Sequence, residues 1–360
     1  MEKYYLATLN AVNLIGSKTT QKLVEIFGSA ENVWRAELPQ LQQTAFNPKI
    51  INNLTEFRSK YPDAVEKLVE FCKIKQVKIC TLYDEDYPPI LKEISGAPVV
   101  FYYRGELKPH AERIAIVGTR ESTPYGEKAT KFLAEELAAA GITIVSGAAR
   151  GIDTFAHQAA LKFGRTVAVL GYGINKIPRD KRKLFEEIIK GGGAILTEFP
   201  PNFDGDKGTF PARNRIIAGL ARGVIVVEAG EKSGALITAG FAADNSRDVF
   251  AVPHNIFYVK GAGCHNLIRD GAILVTSAAD ILEYYNVSNE KTAPKIEPKV
   301  ELEAAEKIVY DKIPQDETIT LEEILMNVDE ISTAEISSIM LQLELKGYIV
   351  ENDGGYIRQI

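Results

Sequence analysis

The runs Ile114-Ala115-Ile116-Val117-Gly118-Thr119-Arg120 and Ile142-Thr143-Ile144-Val145-Ser146-Gly147, joined by a helical pattern over residues 126–140 that stops before Gly141, decide the fold. Both apolar runs are continuous rather than alternating, so each strand is covered on both faces, as in a parallel sheet between helical layers. The pattern repeats. Strands are expected at residues 166–170, 194–197, 224–227, 249–252 and 273–275, with helices over 153–163, 183–190, 213–221 and 233–245. The expected fold is α/β: a Rossmann-like, mostly parallel sheet with helices on both faces, over residues 81–285.

Towards the N-terminus, Leu6, Leu9, Val12 and Leu14, then Leu23, Val24 and Phe27, then Ile50, Ile51 and Leu54 recur at helical spacing, which predicts a small helical domain over residues 1–80. Val12 to Lys18, with Gly16 at its centre, has the pattern of a helix-hairpin-helix turn. Such a glycine either helps hold a phosphate at a helix N-terminus or simply turns the chain. A short strand is expected over 99–103. Towards the C-terminus, residues 286–300 have too little apolar surface to fold and read as a linker. Residues 301–360 then show three helical segments, the third opened by a Ser332 to Glu335 capping box, and two short strands around Asp353-Gly354-Gly355. That order predicts a winged helix.

At 360 residues with 46% apolar content, the chain exceeds one ordinary core, so several domains are expected. No window approaches eighteen uninterrupted apolar residues, and Met1 to Asn10 lacks the apolar core of a signal peptide. Cys72, Cys80 and Cys264 are too few and too scattered for a disulfide framework or a zinc site. A cytoplasmic protein without membrane association is expected. The net charge of −6 is unevenly spread: residues 110–283 carry 21 Lys+Arg against 19 Asp+Glu, and residues 297–360 carry 5 against 15. The acidic tail domain is therefore unsuited to a DNA groove and fits a protein contact, whereas the central domain remains open to a nucleic-acid partner.

In an open α/β sheet, ligands lie beyond the carboxyl ends of the strands. The residues there are Gly118-Thr119-Arg120, Ser146-Gly147-Ala148-Ala149-Arg150-Gly151-Ile152-Asp153 and Gly171-Tyr172-Gly173. Small residues expose backbone N–H groups at helix starts, and Arg120 adds a charge suited to phosphate. The chain has neither the dinucleotide fingerprint nor a P-loop, and its histidines are scattered, so no cofactor or metal is expected. Lys207-Gly208-Thr209-Phe210-Pro211-Ala212-Arg213-Asn214-Arg215 sets an aromatic ring among cations at an expected helix start, a composition that suits a single strand. Lys181-Arg182-Lys183 could extend that basic track. Asp153 reads as a helix N-cap, and Glu228 as structural.

Taken in order, Ile116 to Arg120, Ser146 to Asp153, Phe210 to Leu220, Val227-Glu228-Ala229, Ser233 to Ala239, Val249 to Pro253 and Asn266-Leu267-Ile268 closely resemble the DNA-processing protein A (DprA/Smf) family. The resemblance implies a non-enzymatic single-stranded DNA-binding protein. Such a protein protects incoming DNA during natural transformation, displaces single-strand-binding protein and helps load the recombinase RecA. It also implies a homodimer, with a contact near residues 264–275. The DNA pocket implied by these motifs comprises Gly118, Thr119, Arg120, Lys207, Phe210, Arg213 and Arg215, with Ser146 and Gly147 beside them. His254 after Val252-Pro253, and His265 between Cys264 and Asn266, depart from the family pattern and put the dimer surface in doubt. A nucleotide-processing hydrolase using Glu198 or Glu228 is the alternative, although Gly191 to Glu198 departs from the loop such enzymes use. Duplex binding through the winged helix is opposed by that domain's charge.

Overall fold

The computed structural model describes residues 1–287, 302–314, 318–328, 331–352 and 354–358. The chain forms two compact units, Met1–Lys291 and Thr292–Ile360. The expected linker lies almost wholly outside the described residues.

The first unit opens with six helices, α1 (Glu2–Leu9), α2 (Ser17–Phe27), α3 (Ala30–Arg35), α4 (Leu38–Gln42), α5 (Pro48–Lys60) and α6 (Ala64–Lys75). They share one core with the sheet: Leu6, Leu9, Leu23 and Leu54 pack in the same cluster as Val100, Tyr102, Ala168 and Ile195. Ser17, at the glycine hairpin, accepts the Val99 N–H at 3.1 Å, so the hairpin is tied to the chain entering the sheet.

The strands are β1 (Lys78–Thr81), β2 (Val100–Gly105), β3 (Arg113–Val117), β4 (Thr143–Ser146), β5 (Thr166–Val169), β6 (Ala194–Thr197), β7 (Gly223–Val226), β8 (Asp248–Ala251) and β9 (Ile273–Leu274). They form one nine-stranded sheet in the order β1-β2-β6-β5-β4-β3-β7-β8-β9. Only the β1–β2 and β2–β6 pairs are antiparallel. The helices of this region are α7 (Pro89–Lys92), α8 (Pro124–Ala139), α9 (Ile152–Ala160), α10 (Arg182–Lys190), α11 (Thr209–Gly219), α12 (Gly234–Asp244), α13 (Ala262–Arg269) and α14 (Ala278–Tyr284). Ile116, Ile144 and Ile225 face α8, α9 and α14, while Val117, Val145 and Val226 face α11, α12 and α13. Burial of the central strands on both faces accounts for their unbroken apolar runs, at about 1.5–3 kcal/mol per buried side chain.

Two helices start earlier than the apolar pattern indicates. Thr123 accepts the Gly126 N–H and Pro124 fills the first helical position, so α8 begins there. α11 begins at Thr209 rather than Arg213, because Pro211 lies in the first turn, where a missing N–H costs nothing. From β3 the chain moves outward through β4, β5 and β6, then returns to the other side of β3 for β7, β8 and β9. The switch point of the sheet is therefore between β3 and β7.

The second unit contains α15 (Ala304–Lys312), α16 (Leu321–Asn327), α17 (Thr333–Leu345) and the antiparallel pair β10 (Ile349–Asn352) and β11 (Gly355–Arg358). Val309, Ile324, Ile336, Leu343 and Ile349 form its own core. Ser332 caps α17 by accepting the Glu335 N–H. Asp353, in the expected turn, lies outside the described residues. Among the described residues, no helix is long and apolar enough to cross a membrane.

Candidate functional site

A cleft of about 500 Å³ opens at the switch point, beyond the carboxyl ends of β3 and β7. The loop after β3 supplies Gly118, Thr119 and Arg120; the start of α11 supplies Lys207, Phe210 and Arg213; and the start of α12 supplies Ser233, Gly234 and Ala235. The Thr119 N–H donates to the Glu228 carbonyl at 2.7 Å, which fastens the β3 loop to the end of β7. Arg120 is exposed, with its guanidinium 5.9 Å from the centre of the Phe210 ring.

Phe210 is fixed from below. A Cβ on Gly171 would lie 2.8 Å from the Phe210 ring, so only glycine lets the chain after β5 pass beneath it. The turn before the ring is held by Asp206, whose carboxylate accepts the Gly208 and Thr209 N–H groups at 2.7 and 3.0 Å. Lys207 is exposed on that turn.

Arg213 does not face solvent as expected. It is 5% exposed, and its Nη1 donates to the carbonyls of Gly147 and Val169, at the ends of β4 and β5. Burial lowers its pKa to about 10, against the pull of Asp153. The reason is the helix register: starting α11 at Thr209 turns position 213 towards the sheet. Arg215 is also committed, since Nη1 and Nη2 grip the Glu198 carboxylate at 2.5 and 2.6 Å and Nε donates to the Gly96 carbonyl. Of the four cations expected to face phosphate together, Arg120 and Lys207 stand open at this cleft.

Ser146 and Gly147 lie beneath the cleft. Ser146 is buried and donates to the Ile116 carbonyl at 2.6 Å, and the Gly147 N–H donates to Asp153 at 3.1 Å. Asp153 is not the N-cap of α9. Gly151, at φ +82°, takes that position, and Asp153 turns back to the amides of Gly147 and Ala149. Burial pushes the Asp153 carboxyl up, opposed by Arg213 and those amides. Behind it, His157 is fully buried and donates through Nδ1 to Thr166 Oγ1, whose own proton goes to the Ile144 carbonyl. Burial, with Lys181 and Arg213 nearby, drives the His157 pKa down to about 3. Lys181 donates to Thr154 Oγ1 at 2.9 Å, Arg182 lines a separate pocket and Lys183 is exposed.

The Glu228 carboxylate is buried, accepting from Thr123 N and Oγ1 at 3.0 Å and from the Tyr258 hydroxyl at 3.2 Å. Sequence reading missed the contribution of α12 to the cleft. Its signal was Ser233, a capping residue placed just after the end of β7, whose side chain accepts the Ala235 N–H. Among the described residues no cluster of three or more His, Cys, Asp or Glu could hold a metal.

The fold and cleft define a doubly wound α/β protein with an anion-suited, aromatic-edged cleft at its sheet's switch point. Residues 78–286 match the family model of DNA recombination-mediator protein A. The chain belongs to that family, DprA/Smf. It is 34% identical to protein Smf of Synechocystis sp. over 98% of both chains. The structure of DNA processing protein A from Streptococcus pneumoniae superposes with a TM-score of 0.66 at 35% identity, covering 79% of this chain and 98% of that one. DNA processing protein A from Helicobacter pylori, whose structure was described for its single-stranded DNA binding mode, superposes at 0.53 with 30% identity, covering 59% and 96%.

Proposed function

We propose that the chain binds single-stranded DNA in the β3/β7 cleft and acts as a recombination mediator. The observation that carries this reading is the Phe210 ring set beside the exposed guanidinium of Arg120, on a cleft lined by the β3 loop and the starts of α11 and α12. A base stacks on Phe210, Arg120 and Lys207 hold phosphates, and the Gly118 amide and the start of α12 add donors, with Thr119 beside them. Arg213, with Ser146 and Gly147, shapes the cleft from below, and Arg215 holds Glu198. The H. pylori relative supports the ligand class. Grip by backbone and stacking predicts little sequence preference.

The reading extends to a cytoplasmic, non-enzymatic protein that needs no cofactor. It protects incoming DNA, displaces single-strand-binding protein and loads RecA, as a homodimer joined near residues 264–275. Glu198 and Glu228, which a hydrolase would need, are each taken up by protein partners, which favours binding over hydrolysis. We assign residues 1–80 to a helical domain, 81–285 to the DNA-binding domain, 286–300 to a linker and 301–360 to a winged helix. The exposed Leu341 and Leu345 on α17, in an acidic unit, fit a protein partner for the winged helix better than a DNA groove.

Fluorescence anisotropy of a labelled oligothymidylate tests the function. Salt-sensitive binding that neither duplex nor thymidine monophosphate displaces is expected. Displacement by the mononucleotide would favour the nucleotide-processing enzyme instead.

A further inference from the structure

A second pocket, of about 290 Å³, lies between α6, β2 and the loop and helix that follow β5. Its floor is apolar, with Phe71, Ile177 and Phe185. Its rim carries three cations, Lys75, Arg104 and Arg182, against one carboxylate, Glu186. Among the described residues none of these three cations is ion-paired, whereas nearby Lys176 is held by Asp204 at 2.8 Å. Three cations against a single carboxylate raise the local positive potential. An apolar floor under such a rim suits an anion that carries a flat apolar part, which describes a nucleotide.

The pocket is linked to the β3/β7 cleft by a short chain of contacts. Ala149 lines that cleft, and its carbonyl accepts from Thr154 Oγ1 at 2.5 Å. Thr154 Oγ1 in turn accepts from Lys181 Nζ at 2.9 Å. The next residue, Arg182, is on the rim of the second pocket. Lys181 thus reaches a residue bonded to the first cleft's lining, and its neighbour Arg182 stands at the second pocket. We propose that this second pocket holds a further nucleotide unit of the same single strand, its phosphate on Lys75, Arg104 and Arg182 and its base over the apolar floor. The assignment rests on the single-strand reading of the first cleft.

The test uses the full-length chain, with anisotropy on oligothymidylates of roughly 4 and roughly 20 nucleotides, at the short and long ends of what one module spans. In the Lys75→Gln/Arg182→Gln protein, both changes lie on the surface, and circular dichroism and urea unfolding check the fold. Binding of the long strand is expected to weaken by about tenfold. The magnitude of its salt slope should fall by about 0.7 for each cation removed, with short-strand binding unchanged. Arg120→Ala, by contrast, should weaken both lengths. Equal affinity of the double variant and the parent for the long strand overturns the second pocket and leaves the first cleft standing. If the parent binds neither length, both readings fall. Thymidine monophosphate in excess should leave long-strand binding unchanged. If it abolishes the advantage of the long strand in the parent, the pocket is a free-nucleotide site and its assignment to the strand is overturned.

Discussion

Phe210 and Arg213 lie three positions apart on one helix and do opposite work. Phe210 borders the cleft over Gly171, whereas Arg213 is buried with its guanidinium on the carbonyls of Gly147 and Val169. Phe210→Ala is expected to weaken oligothymidylate binding by about 5- to 150-fold, the equivalent of about 1–3 kcal/mol of stacking, with urea unfolding unchanged. Arg213→Ala is expected to destabilise the fold by about 3–5 kcal/mol, since it leaves Asp153 buried without its cation and two strand-end carbonyls without a donor. Urea unfolding measures this, and a variant as stable as the parent would mean that the clamp contributes nothing. The ring and the cations were legible in the sequence, but their division was not. Arg120, Arg213 and Arg215 look alike as residues. Which of them reaches solvent depends on the register of α11 and on Glu198, an ion-pair partner 17 positions away.

At the scale of elements, the strands were legible because parallel strands buried on both faces have no competing pattern. Helix starts were less so, since Pro124 and Pro211 read as breakers although both stand in a first turn. On the buried face of α9, His157 is held neutral by burial, with a folded pKa of about 3. Its unfolded pKa is about 6.5, so on acidification the unfolded chain takes up a proton that the folded one refuses. Stability from this group is full above about pH 6.5 and is lost as the pH falls towards 3, by up to about 1.4 kcal/mol per unit. Urea midpoints measured between pH 7 and 5 should fall accordingly, and less steeply in His157→Gln. Gly171→Ala should push the Phe210 ring from its place and weaken single-strand binding.

Across the whole molecule the charge is unevenly divided. The acidic residues concentrate in the last sixty-odd positions, while the central domain balances 21 Lys+Arg against 19 Asp+Glu and keeps Arg120 and Lys207 open at the cleft. Removing residues 292–360 is therefore expected to leave the affinity for oligothymidylate and its salt slope unchanged. A marked loss would place a DNA contact in the acidic unit. Composition alone made this division legible. The joining of the N-terminal helices to the sheet in one core was not legible, because ties such as the Tyr102 hydroxyl donating to the Ala7 carbonyl at 3.4 Å depend on tertiary packing. The most direct measurement is photo-crosslinking of a strand carrying iodouracil, followed by mass-spectrometric mapping of the modified residue. Attachment at Phe210 is expected, lost in Arg120→Ala at elevated salt; attachment confined to the second unit, or none in the β3/β7 cleft, would contradict the site.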